Sequence, residues 1–194
     1  MYQSILTEVD GPLGILTMSK AKRHNAFDEV LIAEITAGLK ELEAHPQVRA
    51  VVLSSTGKSF CAGADLNWMK RAAGYSPEEN LRDARNLATL LSTLNELSKP
   101  TVARIQGPAY GGGVGLVAAC DIAIATFEAQ FALTEVKLGI IPAVISPYVI
   151  AAIGEPALVF STHFDCVPPF FPSRVEGDLL YGRGACDAKG ILAA

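Results

Sequence analysis

Cysteine is scarce in these 194 residues and follows no pattern. Cys61, Cys120, Cys166 and Cys186 are irregularly spaced and contain no CxxC pair. That spacing argues against a disulfide framework and for free thiols in a reducing compartment. The N-terminal stretch, Met1 to Gly14, has neither the basic start nor the apolar run of a secretory signal, so a cytoplasmic location is expected. Long runs of Lys or Arg are missing too. With a formal net charge of −4, nucleic acid is not an expected partner. The one basic cluster, Lys20-Ala-Lys-Arg23, is local and reads either as a solvated loop or as a phosphate contact. The longest uncharged stretch, Leu138 to Gly154, spans 17 residues but contains Pro142 and Pro147. It suits a buried loop and helix better than a membrane span, and no membrane partner is expected. Repeats and low-complexity segments are absent. What remains is a chain that is 50% hydrophobic and 19% charged, a balance that supports a packed core.

The order of elements predicts an α/β fold. Tyr2–Val9 and Gly14–Ser19 read as strands around a turn at Asp10-Gly11-Pro12. A helix is predicted from Ala26 to about His45, capped by Asn25, with Phe27, Leu31, Ile32, Ile35, Leu39 and Leu42 on its apolar face. Val48–Ser54 is a β-branched strand, and strand–helix–strand order favours parallel pairing. Ser76-Pro77-Glu78-Glu79 forms a capping box for a second helix, whose stripe is Leu81, Ala84, Leu87, Leu91 and Leu94. Thr101–Gln106 and Ile122–Thr126 read as strands, Val114–Cys120 as a short apolar helix, and Ser146-Pro147 as the start of a helix that Gly154 closes. After Pro156 the pattern changes. Ala157–Thr162 and Leu179–Gly182 read as strands, and Asp187–Ala194 as the first turns of a helix. Two units are therefore expected, residues 1–154 and 155–194.

Two segments of the first unit are built to expose backbone N–H groups. One is Cys61-Ala-Gly-Ala-Asp65, just after a strand; the other is Gly111-Gly-Gly113, at a helix start. Small residues let a ligand approach the main chain, and free N–H groups there suit a negative oxygen. Each is also a plain packing turn when taken alone. Glu135, in the apolar setting Leu133-Thr-Glu-Val136, is a carboxylate whose pKa burial can raise toward neutrality. It also reads as a surface strand-end carboxylate, and Asp65 as a helix cap or turn residue.

Taken in order, SFCAGADLNWMK, QGPAYGGGVGL, CDIAIA and FALTEVKLGIIP resemble the enoyl-CoA hydratase/isomerase (crotonase) superfamily over about residues 1–154. The wording around Asn67-Trp-Met-Lys70 and Ile140–Pro147 is most similar to methylglutaconyl-CoA hydratase-like members. The resemblance implies an acyl-CoA thioester partner and an enolate held at the thioester oxygen. It implies Ala64 and Gly112 as the two N–H donors of an oxyanion hole, and Glu135 as the group that handles a proton. Asp65 and Leu66 would follow in the acyl-CoA-binding segment, and Lys22, Arg23 and His24 would meet the CoA nucleotide. No cofactor is implied for this half. One position departs from the pattern. Members with two catalytic glutamates carry the first four residues after the first glycine of GGG, where this chain has Gly115. One carboxylate suffices for double-bond isomerisation, but the methylglutaconyl-CoA hydratase-like members that the chain resembles also carry glycine there, so hydration stands first and isomerisation second.

ALVFSTHFDCVPP followed by GDLLYGRGACDAKG resembles the zinc-dependent M20-type amidohydrolases and peptidases, over residues 156–194. That likeness implies His163 and Asp187 as metal ligands and Asp165 as the residue orienting His163. Zinc would matter only if this fragment were functional, and two ligands fall short of the three or more a catalytic zinc requires. The expectation is a chimera: an incomplete crotonase-like ββα spiral followed by a strand-loop-strand-helix fragment. The resemblance leaves a homo-oligomer open, although the family's C-terminal trimerisation region is not expected in this chain. An inactive fusion and a zinc-dependent deacylase fragment are the competing readings.

Overall fold

The computed structural model describes residues 2–154, 174–176 and 179–181. Strands β1 (Ile5–Asp10) and β2 (Leu13–Met18) fold back on each other at Gly11, whose φ is +54°. They pair antiparallel from Ile5↔Met18 to Asp10↔Leu13. Helix α1 (Glu29–Ala44) leads to β3 (Ala50–Ser55), and α2 (Leu66–Ala72) and α3 (Pro77–Asn95) lead to β4 (Thr101–Ile105). Then come β5 (Ala109–Tyr110), α4 (Gly112–Ala118), β6 (Ile122–Ala125) and β7 (Phe131–Ala132). A 3₁₀ turn, Thr134–Leu138, and α5 (Ser146–Ile153) follow. The main sheet runs β1-β2-β3-β4-β6, parallel from β2 onward, as the element order predicts. Parallel neighbours need a crossover, and the helices supply it.

Helix α1 buries Leu31, Ile32, Ile35, Leu39 and Leu42, each at most 2% exposed. It begins later than its periodicity suggests. Asp28, not Asn25, is the cap: its Oδ1 accepts from Leu31 N at 2.9 Å, and its Oδ2 pairs with Lys20. Asn25 is wholly buried with φ +51°, and its Nδ2 donates to Thr56 O and Ser59 O at 2.8 and 2.9 Å. It ties two loops together instead of starting a helix. The capping box of α3 is present: Ser76 Oγ accepts from Glu79 N, and Glu79 Oε2 accepts from Ser76 N. Only the second half of its stripe reaches the core. Leu90, Leu91 and Leu94 are buried, while Leu81 is exposed.

Four of the labelled helices and strands have no expectation in the sequence: α2, the parallel-paired β5 and β7, and β8 (Arg174–Glu176). The last pairs antiparallel with β9 (Leu179–Tyr181), the strand expected at Leu179–Gly182. The strand Ala157–Thr162, the helix Asp187–Ala194, and His163, Asp165 and Asp187 lie outside the described residues. Among those described, no helix is long and apolar enough to cross a membrane. No cluster of three or more His, Cys, Asp or Glu could hold a metal ion there. At the open edge of the sheet, Ile122 and Ile124 of β6 are exposed, as is Phe127 beyond it.

Because β2, β3, β4 and β6 point the same way, the loops leaving their carboxyl ends meet at one edge of the sheet. That edge is where an open parallel sheet forms its crevice. Replacing the cap, Asp28→Ala, is expected to lower stability by about 1–2 kcal/mol in urea denaturation. A loss below a few tenths would show that Asp28 does not set the start of α1.

Candidate functional site

The crevice holds a cavity of about 280 Å³. Three backbone segments bring it together: Ala62–Ala64 after β3, Gly111-Gly112 at the start of α4, and Thr134-Glu135 in the 3₁₀ turn. Apolar side chains complete the wall, chiefly Phe27, Trp68, Met69, Leu87 and residues 140–145.

The first segment is held as a short strand. Phe27 N donates to Gly63 O at 2.7 Å, and Asp65 N donates to Phe27 O at 2.8 Å, a parallel bridge opposite Ala64. In such a bridge the middle residue turns its own N–H away from the partner. Ala64 N–H takes no part in the backbone bonds of these loops, and neither does Gly112 N–H. The second segment bends at Gly111, whose φ of +50° suits glycine. Gly111 N donates to Ala132 O at 2.9 Å, which seats the turn on β7. A Cβ on Gly112 would come within 2.6 Å of Phe27 Cε2, so packing demands glycine there as well as ligand access.

Among the described residues, Glu135 is the one charged side chain lining the cavity. Its Oε1 lies 2.9 Å from where a Cβ on Gly111 would be, beside the glycine turn. Its Oε2 is buried with no hydrogen-bond partner among the described residues. Burial pushes the carboxyl pKa above its ordinary value, against a smaller pull from its own backbone N–H. The result is a carboxyl whose proton affinity is raised, next to two backbone donors in an apolar pocket.

The other expected site residues divide. Leu66 lines the cavity mouth and is exposed. Asp65 does not line it; the cap reading that the sequence left open describes its side chain. Oδ1 accepts from Asn67 N and Trp68 N at 2.8 and 3.1 Å, and Oδ2 accepts from Arg23 Nη1 at 3.3 Å. Burial raises the Asp65 pKa, but the Trp68 and Asn67 N–H groups and Arg23 outweigh it, and the net displacement is downward. Lys22, Arg23 and His24 sit outside the cavity on the adjoining loop, exposed. That loop is fixed to the first segment by Ala62 N donating to His24 O at 3.0 Å, and by His24 Nδ1 lying 2.9 Å from Ser59 Oγ. Cys61, at the head of the same segment, is fully buried, and burial pushes its thiol up to about 12. Sequence reasoning missed Phe27, Trp68 and Ile145 as cavity residues. Phe27 reads as a helix-face residue in the sequence, and the segments Asn67–Lys70 and Ile140–Pro147 carry a family resemblance without marking Trp68 or Ile145 as cavity residues.

Two glycine-containing backbone segments and one half-buried carboxylate therefore border a single cavity at the edge of a parallel sheet. Residues 9–158 match the enoyl-CoA hydratase/isomerase family, and the chain belongs to that family. It is similar to a relative from Thermus thermophilus, 39% identical over 147 residues, which cover 76% of this chain and 58% of the relative. Enoyl-CoA hydratase AFT6-1 of Alternaria alternata is 37% identical over 143 residues, covering 72% and 45%. The crystal structure of an enoyl-CoA hydratase from Shewanella pealeana superposes with a TM-score of 0.78 at 45% identity, covering 80% of this chain and 58% of that one. The chain thus spans about half the length of the curated relatives it matches.

The raised pKa of Glu135 has a stability consequence. Its contribution is complete below the ordinary carboxyl value and is lost as pH rises through the folded-state value. Glu135→Gln is expected to be more stable than the parent near neutral pH, with the gap closing toward about pH 4. Urea titrations at both pH values test this; a variant less stable at neutral pH would show that the carboxylate is held favourably in its charged form.

Proposed function

We propose that this chain carries the acyl-binding and proton-transfer half of an acyl-CoA hydratase, with Glu135 as its one catalytic carboxylate. The observation that supports it is the meeting of Ala64, Gly112 and Glu135 in one apolar cavity. The thioester oxygen would accept hydrogen bonds from Ala64 N–H and Gly112 N–H, which favour the enolate over the neutral thioester. In hydration of a 2-enoyl thioester, Glu135 takes a proton from water as the hydroxyl bonds to C3. The C2–C3 π electrons move onto the thioester oxygen as the enolate. The proton then returns to C2 and the carbonyl re-forms. No cofactor enters these steps.

Isomerisation is the second reading, and Gly115 favours it. With one carboxylate, Glu135 can take a C2 proton from a 3-enoyl thioester and return it to C4. The exposed Lys22 and Arg23 would meet the phosphates of CoA. Arg23 is largely solvent-facing although Asp65 is buried, and their 3.3 Å contact is long for a charge-assisted hydrogen bond, so Arg23 is able to turn toward them. The finer reading, a methylglutaconyl-CoA hydratase, draws on Ile140–Pro147, much of which forms the cavity wall. Its acyl group carries a distal carboxylate, for which the described lining offers no cation, so an uncharged enoyl chain is the better fit.

The test is turnover of crotonyl-CoA and 3-methylglutaconyl-CoA, followed by loss of enoyl-thioester absorbance, with a 3-enoyl-CoA for isomerisation. Glu135→Gln is expected to lower kcat by about 10²–10⁴, the usual contribution of a general base. Equal turnover by folded variant and parent would overturn the base assignment.

A further inference from the structure

Gly115 is the position where the sequence departs from two-carboxylate relatives, and the structure shows what fills that space. A Cβ built on Gly115 would overlap Ile145 Cγ2 and lie 2.8 Å from Ile145 Cβ. Leu91 Cδ2 stands next, at 3.7 Å. Ile145 is 3% exposed and lines the cavity, whereas Gly115 is buried and does not. The isoleucine therefore stands between helix α4 and the open space. Its backbone has little freedom. Ser146 N and Oγ both donate to Pro142 O, at 3.0 and 2.8 Å, and Val149 N donates to Ile145 O at 3.1 Å. The side chain is pressed against a glycine on one side and faces the cavity on the other.

We infer that Ile145, seated on Gly115, sets the depth of the acyl cavity and so determines which acyl chains this site accepts. The inference rests on the acyl-thioester reading of the cavity. Two opposite changes follow from the geometry. Gly115→Ala must displace Ile145, and the displacement away from α4 is into the cavity, which shortens it. Ile145→Ala removes the wall and lengthens it. Shortening should penalise long chains and spare short ones; lengthening should do the reverse. Gly115→Ala combined with Ile145→Ala removes the overlapping Cγ2 and should reverse the penalty on long chains.

Trp68 is the chain's single tryptophan and lines the same cavity, so its emission reports occupancy without turnover. The experiment titrates the full 194-residue chain with CoA, butanoyl-CoA and octanoyl-CoA and follows Trp68 fluorescence. Gly115→Ala is expected to weaken octanoyl-CoA relative to butanoyl-CoA by about tenfold or more, the discrimination one or two methylenes give in an apolar pocket. Ile145→Ala, or the gentler Ile145→Val should the former not fold, is expected to shift the ratio the other way. Equal effects on both thioesters, or no change in their ratio, would overturn the role of Ile145 while leaving the thioester site standing. If the parent binds neither thioester more tightly than CoA, the acyl-CoA reading itself fails, and this inference with it.

Discussion

The cavity exists because main chain grips the segment Cys61–Asp65 from both sides. On one side Cys61 N donates to Pro108 O at 3.2 Å, and Tyr110 N donates to Cys61 O at 2.8 Å. On the other, Phe27 N and Phe27 O take Gly63 O and Asp65 N. Buried backbone groups need partners, and this arrangement satisfies most of them while turning Ala64 N–H away from Phe27. The glycine turn is then placed relative to this strand by Tyr110 and Ala109. Loosening the Phe27 side would move the donor at Ala64 and the ring that packs on Gly112 together. Two parts of the site are thus mechanically one.

The same economy places the lone carboxylate. The turn Thr134–Leu138 follows β7, and β7 pairs with β5 immediately before the glycine turn. A two-residue sheet therefore sets the distance between Glu135 and Gly111. Asp65 adds a further tie: by capping α2 it aims the helix bearing Trp68 and Met69 across the cavity, and Trp68 Nε1 donates to Asp83 Oδ2 at 3.2 Å to fasten α2 to α3. The apolar wall and the donor segment share a joint at residue 65.

Much of this was legible in the sequence where the signal is local. The β1–β2 turn at Asp10-Gly11-Pro12, the α1 stripe, the Ser76 capping box and the Ser146-Pro147 helix start each follow from residues close together in the chain. The glycine turn and the apolar surroundings of Glu135 marked the site for the same reason. What escaped depends on partners far apart in the chain. Asn25 looks like a cap until its amide is seen bonded to Thr56 O and Ser59 O, more than thirty residues away. Phe27 looks like a helix face, yet its backbone forms a bridge to Ala64. The complement of Gly115 to Ile145 joins α4 to the residue that precedes α5 and leaves no local trace, since a glycine inside an apolar helix is as readily a packing residue as a missing carboxylate.

Cys61 gives the site a chemical property of its own. A thioester and a thiolate exchange acyl groups, and here a thiol heads the segment that would hold the thioester oxygen. Burial pushes its thiol up to about 12, so it is held protonated at neutral pH. The sulfur is also wholly enclosed. For an acyl thioester bound in this cavity, as proposed above, self-acylation would be closed off twice, by protonation and by access, and the donor would dwell beside a cysteine without leaving its acyl group on the protein.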